Sequence, residues 1–210
     1  MPESFTDTPL LTERYDAAMA YALQHHRRQL RKGTEIPYTS HLLSVSALVL
    51  EMGGSEDEAI GALLHDLVED GGGPAALVQI EQRFGPAVAH IVEANTDTDE
   101  EPKPPWRERK EAYVASIRTK DAAALRVSLA DKLHNARAIL RDYRAVGEDL
   151  WERFKTDSGP DVRWYYRALL DAFEERRSDL GPGGAAALDD LRRALDELDA
   201  VSPGQQARAL

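Results

Sequence analysis

The stretch GALLHDLVEDGGG, residues 61–73, holds the most informative residues of this chain for both its fold and its chemistry. Its apolar residues surround the adjacent pair His65-Asp66, and a second pair, Glu69-Asp70, follows one helical turn later. Because residues four apart share one helix face, we predict a buried helix whose four polar groups converge on one space. A metal and a substrate or its water would satisfy them. The alternative, a capped helix with solvated acids, is disfavoured because acids at a helix C-terminus oppose the macrodipole.

Two other stretches supply further residues of the metal-ligand type. His41 precedes the central pair and Asp131 follows it, which gives the order H…HD…D along the chain. Two imidazoles and two carboxylates suit a divalent transition ion and its water, and this set also admits Fe²⁺, Co²⁺ or Zn²⁺. A lone mid-helix aspartate is ordinarily solvated, but Asp131 lies in a helix that is otherwise apolar. We interpret His134 as a core or surface histidine rather than as an extra ligand.

A phosphorylated substrate needs local positive charge, because acidic residues exceed basic ones by 11. Arg31 and Lys32 lie within ten residues of His41, where they can reach a bound phosphate. Further cations lie just before this segment and after the acidic stretch at 96–105, and for each of them a solvated helix face is the alternative: Arg27, Arg28, Arg107, Arg109 and Lys110.

The composition bounds the class of protein. With 210 residues, 42% apolar and 30% charged, the chain resembles an ordinary soluble globular protein. The net charge of −11 argues against general binding to nucleic acid or to a membrane surface. The absence of cysteine excludes disulfides and thiolate metal sites. The amino terminus lacks a signal-peptide pattern and the apolar stretch at 42–50 is too short to span a bilayer, so we predict a cytoplasmic protein.

Apolar residues recur at three- and four-residue spacing without sustained alternation, which predicts an all-α fold. A break at GPGG, 181–184, divides a main domain, 1–180, from a linker and C-terminal helix, 181–210. We expect that helix to dock on the domain rather than form an oligomer seam, although the oligomeric state stays open. The predicted helix starts are Thr8-Pro9, Thr39 or Ser40, Ser55 with Glu58 as a capping box, Pro74, Pro86, Pro104-Pro105, Asp121 for a helix to about Arg141, and Asp161.

Four blocks together resemble a known family. They are RKGTEIPYTSH at 31–41, GALLHDLVEDG at 61–71, RFGPAVAHIVEANTDTD at 83–99 and SLADKLHNARAI at 128–139. They resemble the HD-domain hydrolases of the RelA/SpoT family, especially its small stand-alone alarmone hydrolases, over about residues 12–145. The HD pair alone is common, but its combination with the other blocks is specific.

The resemblance implies an HD-domain helical bundle that hydrolyses the 3′-pyrophosphate of guanosine tetra- or pentaphosphate, with Mn²⁺ as the usual ion. It implies a metal held by four residues, His41, His65, Asp66 and Asp131. It further implies that Glu69 and Asp70 orient or activate the attacking water, and that Arg31, Lys32 and Asn135 line the nucleotide pocket. A synthetase domain has no room in this chain, so we expect degradation of the nucleotide and not its synthesis.

The chain departs from the family pattern in three places. Leu42 stands where the family usually has proline, Gly71 replaces the usual threonine, and the loop around 96–110 differs. Because that loop helps to choose the nucleotide, two alternatives stay open. One is an HD phosphohydrolase that acts on the 2′-phosphate of NADPH or on nucleoside phosphates. The other is a non-catalytic nucleotide or metal sensor, or a partner-binding module, against which the intact acidic pairs argue.

Overall fold

The structure, a computed structural model, describes residues 8–97, 104–154 and 158–202, together with Thr6 and Thr156. Within these residues the fold is all-α, as predicted, and one isolated β-bridge joins Leu30 to Pro37. The α-helices described are α1 Glu13–His25, α2 Thr39–Glu51, α3 Glu56–Leu64, α4 Gly73–Phe84, α5 Pro86–Asn95, α6 Trp106–Ile117, α7 Ala122–Val146, α8 Gly159–Glu174 and α9 Gly181–Val201. Three short helices complete them: the π-helix Val68–Gly72 and the 3₁₀ helices Gly147–Arg153 and Arg177–Leu180.

Helix α7 forms the centre of the bundle. It packs against α2, α3 and α5, and also against α8 and α9. Its apolar stripe includes Leu125, Leu129 and Leu133, all fully buried. Burial of each such side chain contributes about 1.5–3 kcal/mol relative to exposure. No helix among the described residues combines the length and the apolar character needed to cross a bilayer.

The core consists of two hydrophobic clusters, and α2 contributes to both. Leu42 packs in the smaller cluster with residues of α1, α3, α4 and α5, whereas Val45 packs in the larger one with residues of α6 to α9. Leu188, Leu191 and Leu195 of α9 are buried in the larger cluster. Helix α2 is therefore clamped between α3 and α7, the two elements that carry the other predicted metal ligands.

The predicted start of α1 at Thr8-Pro9 is wrong. The helix begins at Glu13 because Thr12 provides the N-cap, accepting a hydrogen bond from the backbone N–H of Arg14 at 3.3 Å. The backbone N–H of Thr12 in turn donates to the Glu56 carboxylate at the start of α3. A tertiary contact between two helix termini thus selects this start.

The predicted hydroxyl cap of α2 is also wrong. The helix begins at Thr39, but Tyr38 occupies the cap position in a helical conformation and no side chain caps the helix. The turn before it already bonds like a tight helical turn: the Ser40 N–H donates to the Pro37 carbonyl at 3.0 Å, and the His41 N–H donates to the Tyr38 carbonyl at 2.9 Å. These bonds use the first amides that a hydroxyl would otherwise cap.

Two other helix starts are confirmed. The Ser55 hydroxyl accepts from the Glu58 backbone N–H while the Glu58 carboxylate accepts from the Ser55 N–H, which makes the capping box at α3. Asp121 caps α7. The predicted end of α7 near Arg141 is too early, because the helix continues to Val146 and ends at the C-cap Gly147, where φ is 62°.

The last two helices begin earlier than predicted. Ser158 caps α8, which begins at Gly159, two residues before the predicted start at Asp161. The GPGG at 181–184 is the first turn of α9 and not a linker. A Cβ at Gly183 would lie 2.6 Å from the backbone oxygen of Met52, so the glycine permits α9 to approach the end of α2.

Candidate functional site

Three elements bring the four predicted metal ligands together. His41 projects from α2, His65 and Asp66 lie in the turn that follows α3, and Asp131 projects from α7. The Asp66 Oδ2 atom lies 3.5 Å from His41 Nε2 and 3.0 Å from His65 Nε2. The Asp131 Oδ1 atom lies 3.3 Å and 3.7 Å from the same two nitrogens. Both histidines and Asp131 are buried, and Asp66 is partly exposed.

The hydrogen bonding of His65 fits a metal ligand. Its Nδ1 lies 2.8 Å from the Ala62 carbonyl oxygen, which only accepts, so Nδ1 carries the hydrogen and donates it. Its Nε2 is buried without a hydrogen-bond partner, although Asp66 Oδ2 is close, because the two atoms are not aligned for a bond. A nitrogen lone pair that faces carboxylate oxygens without bonding them suits a shared divalent cation.

The electrostatics of the cluster also favour a cation. Burial alone would raise the pKa of Asp66, but the imidazoles of His65 and His41 outweigh it and hold that pKa well below its usual range. Against burial, Lys132 and then the imidazoles lower the pKa of Asp131 in the same way. The two carboxylates raise the pKa of His65 although burial opposes this. The centre therefore attracts a positive charge, and a metal would compete for it with a proton.

Neighbouring side chains hold the two carboxylates in place. The Tyr38 hydroxyl donates a short hydrogen bond to Asp66 Oδ2. Lys132 Nζ lies 2.6 Å from Asp131 Oδ2, and Asn135 Nδ2 donates to Asp131 Oδ1 at 2.5 Å. Such outer partners fix the orientation of metal ligands. Sequence reasoning missed the part of Tyr38, although its position three residues before His41 was a signal.

His134 contacts the candidate ligand His41. Their Nδ1 atoms lie 2.8 Å apart, and Nε2 of His41 is left facing the carboxylates. Burial, and then the neighbouring His41, lower the pKa of His134 to about 3, so it is neutral and can accept from His41. The interpretation of His134 as a residue outside the ligand set is compatible with this geometry, but its contact with His41 was not foreseen. Its place one helical turn after Asp131 was the available signal.

We predicted one continuous helix for the central stretch, and this prediction is wrong. Helix α3 ends at Leu64, and after a turn the chain forms the π-helix Val68–Gly72. The Gly72 N–H donates to the Leu67 carbonyl five residues back at 3.1 Å. A Cβ at Gly72 would lie 2.6 Å from that oxygen, and Gly73 has a φ of 54°, so the glycine run permits the wider turn. Short π-helices are frequent at functional sites.

The π-helix carries Glu69 and Asp70, the predicted acidic pair. The exposed Asp70 accepts a hydrogen bond from Gln29 Nε2 at 2.7 Å. Glu69 lines a cavity beside the cluster and raises the pKa of Lys110, against the larger lowering effect of burial. The two acids thus point to different surroundings.

Two adjoining cavities open beside the cluster, with volumes of about 310 and 290 Å³. They share Lys32, Asn135, Phe154 and Tyr166 in their linings, so they lie side by side, and we call the two together the cleft. The first cavity has a basic lining that includes Arg31, Lys32, Arg141 and Arg153. A cleft of this size suits a small organic ligand rather than a macromolecule.

The three predicted substrate contacts meet in this cleft. Arg31 Nη2 donates to Asn135 Oδ1 at 2.8 Å, and Asn135 in turn donates to Asp131. Lys32 lines both cavities. The guanidinium of Arg31 also lies 5.9 Å from the centre of the Tyr38 ring. A chain of contacts therefore joins the cleft to the cluster.

A second basic wall lines the other cavity. Arg109, Lys110 and Lys132 face it, and Asp97 pairs with the first two at 2.5 and 2.8 Å. Burial, and then the neighbouring Lys132, lower the pKa of Lys110. The buried Tyr165 hydroxyl also lines this cavity and has no hydrogen-bond partner. Clustered cations and an unpaired donor favour an anionic ligand.

Other predicted cations do not reach the cleft. Arg27 and Arg28 are exposed and line neither cavity. The Arg107 guanidinium instead stacks 3.2 Å from the centre of the Trp164 ring. The loop that departs from the family pattern includes residues 98–103, which lie outside the described residues.

An all-α bundle with a buried His-Asp cluster at the junction of three helical elements is the architecture of a class of metal-dependent phosphohydrolase domains. The HD domain family model matches residues 18–156, about two thirds of the chain, and the chain belongs to this family.

The chain is similar to proteins named for nucleotide hydrolysis. It is 37% identical over 139 residues to the guanosine-3′,5′-bis(diphosphate) 3′-pyrophosphohydrolase MESH1 of Xenopus tropicalis, covering 65% of this chain and 73% of that protein. It is 33% identical over 133 residues to the bifunctional (p)ppGpp synthase/hydrolase SpoT of Escherichia coli, covering 60% of this chain. The chain spans only 18% of the length of SpoT. A solved structure described as a metazoan ortholog of SpoT that hydrolyses ppGpp superposes with a TM-score of 0.70 at 25% identity, covering 92% of this chain and 98% of the other.

Proposed function

We propose that this protein is a metal-dependent hydrolase that removes the 3′-pyrophosphate of guanosine tetra- or pentaphosphate. The observation that carries the proposal is the His-Asp cluster, with its buried and unbonded His65 Nε2, beside a basic cleft to which Asn135 connects it. The similarity to MESH1, whose name states this reaction, supports the choice of substrate.

We assign the metal to His41, His65, Asp66 and Asp131 and propose Mn²⁺ as the ion. A bound divalent ion would polarise a phosphoryl oxygen and lower the pKa of water. Tyr38 and Asn135 hold the two carboxylates as acceptors by donating to them. His134 is placed to accept from His41 Nδ1, which leaves Nε2 available as a ligand.

The acidic pair handles the proton in this proposal. Water attacks the phosphorus bonded to the 3′ oxygen, so a new P–O bond forms and the bond from phosphorus to the 3′ oxygen breaks. Asp70 or Glu69 accepts the proton of the water, and the 3′ oxygen leaves as a hydroxyl after it takes up a proton. The products are GDP or GTP and pyrophosphate.

A cytoplasmic location stays a prediction.

The cleft would hold the rest of the nucleotide. Arg31 and Lys32 supply positive charge on one wall, and Asn135 links that wall to the metal cluster. Arg109 and Lys110 supply charge on the other wall for a second phosphate group. Two basic walls are what a substrate with phosphates at both the 3′ and 5′ positions requires.

The test is incubation of metal-stripped protein with guanosine tetraphosphate, with and without Mn²⁺, followed by separation of the nucleotides and phosphates. We expect GDP and pyrophosphate only when Mn²⁺ is present. Release of orthophosphate would show cleavage of a different bond. Intact guanosine tetraphosphate with turnover of NADPH or of a nucleoside triphosphate would move the assignment to those substrates, and tight binding without any turnover would indicate a sensor.

A further inference from the structure

The side chain of Gln29 bridges a buried histidine and the candidate acid Asp70. Its Nε2 donates to Asp70 Oδ2 at 2.7 Å, and its Oε1 lies 2.5 Å from His26 Nδ1. Among the described residues, it is Gln29 whose side chain donates a hydrogen bond to the Asp70 carboxylate. Asp70 is exposed and directly precedes a run of three glycines, so the fold restrains its carboxylate little from other directions.

The polarity of this bridge follows from the groups at its ends. An ionised carboxylate only accepts, so the amide –NH₂ of Gln29 must face Asp70. The amide oxygen then faces His26, whose Nδ1 must carry the hydrogen that it accepts. His26 is 1% exposed and stacks on the ring of Tyr38 at 5.2 Å, so it cannot turn away. The carboxylate therefore sets which way the amide points, and the buried imidazole anchors the oxygen end of the amide.

The backbone of Gln29 is also held. The Tyr38 N–H donates to the Gln29 carbonyl at 2.9 Å, and the Arg31 N–H donates to the Ile36 carbonyl at 2.8 Å. These bonds close residues 29–38 into a hairpin-like turn. One end of the turn carries Gln29, which bonds Asp70, and the other carries Tyr38, which bonds Asp66. A rigid support of this kind is what precise placement of a reacting group requires.

We propose that Gln29 is a positioning residue that aims the Asp70 carboxylate at the reacting water, and that the buried His26 anchors the other end of its amide. This inference rests on the proposed function, because it gives the Asp70 carboxylate a part in proton transfer. Gln29 touches neither the metal cluster nor the substrate cleft, since it lines neither cavity. Its loss should therefore slow turnover without weakening the binding of metal or nucleotide.

The experiment compares Gln29→Leu with Gln24→Leu, a matched change at an exposed position of α1. With Mn²⁺ and guanosine tetraphosphate, we expect kcat of Gln29→Leu to fall about tenfold to hundredfold, the range for a hydrogen bond to a charged group. KM and the affinity for Mn²⁺, measured by calorimetry on metal-stripped protein, should not change. The control should match the wild type. A parallel loss of Mn²⁺ affinity and thermal stability in Gln29→Leu would indicate a merely structural role and overturn the proposal.

A double-mutant cycle with Asp70→Ala isolates the path of the effect. If Gln29 acts through Asp70, Gln29→Leu should cause no further loss of kcat when Asp70 is already alanine. Losses that multiply in the double variant would overturn the proposal, because they would show that Gln29 acts elsewhere.

A third measurement does not depend on turnover. The side-chain amide resonances of Gln29 in a ¹H–¹⁵N spectrum are identified by their absence in Gln29→Leu. We expect them to shift in Asp70→Ala and to stay in place in Gln24→Leu. If the wild type leaves guanosine tetraphosphate intact, the proposed function fails, while this shift still decides whether Gln29 holds Asp70. Resonances that do not move would overturn the positioning role.

Discussion

Replacement of Tyr38 by phenylalanine is expected to weaken metal binding while the fold is preserved. The change removes one oxygen, the hydroxyl that donates to Asp66 Oδ2. Burial, and then the charge of Asp66, raise the pKa of Tyr38, so the phenol stays protonated and donates at any ordinary assay pH. The remaining ring still stacks on His26.

The size of the effect follows from the partner's charge and exposure. A hydrogen bond to a charged group contributes about 1.5–3 kcal/mol. The Asp66 side chain is 21% exposed, so water can replace part of the lost bond. We therefore expect the lower end of that range, which corresponds to about a tenfold rise in the Kd for Mn²⁺.

The assay is calorimetric titration of metal-stripped protein with Mn²⁺, and Tyr21→Phe is the control. The Tyr21 hydroxyl donates to Gln79 at 3.0 Å on the exposed surface, so the control removes the same atom from a neutral bond far from the cluster. Its Kd for Mn²⁺ should equal that of the wild type. An unchanged Kd in Tyr38→Phe would mean that the hydroxyl does not hold Asp66 as a ligand.

Three further predictions test separate parts of the structure. Asp66→Asn should abolish Mn²⁺ binding and turnover together, whereas Glu69→Gln should keep the metal and lower kcat by about 10²–10⁴; full activity in Glu69→Gln would remove it from the acidic pair. Burial, and then the charge of Lys132, lower the pKa of Lys120 from 10.5 to about 8 in the folded protein. Between pH 8 and 10.5 Lys120 therefore carries its proton in the unfolded chain but not in the folded one, so the free energy of unfolding of the wild type should rise with pH over this range. Urea unfolding of Lys120→Met should lack this rise, and parallel curves would contradict it. Gly183→Ala should lower the free energy of unfolding by about 1–3 kcal/mol, since its Cβ would lie 2.6 Å from the backbone oxygen of Met52, the C-cap of α2; unchanged stability would mean that α9 can shift away.

Helix content was predictable because it depends on local spacing. Apolar residues at three- and four-residue intervals identified the all-α fold, and the capping box at Ser55 needed only the residues that form it. Helix ends were less predictable where a distant residue takes part. The start of α1 depends on Glu56, and the first turn of α9 depends on its approach to Met52. Neither contact leaves a mark in the neighbouring sequence.

The residue types at the centre were predictable from the chain alone, because two histidines and two aspartates in otherwise apolar stretches have few other means of being satisfied. Their supporting contacts, in contrast, come from the packing of the helices. Packing of α2 between α3 and α7 brings His134 to His41, and the turn at 29–38 brings Gln29 to Asp70. The Gln29–Asp70 pair is separated by 41 positions in the sequence and the His41–His134 pair by 93. Hydrogen bonds of less than 3 Å over such separations depend on the placement of whole helices, and local propensity carries no information about that placement.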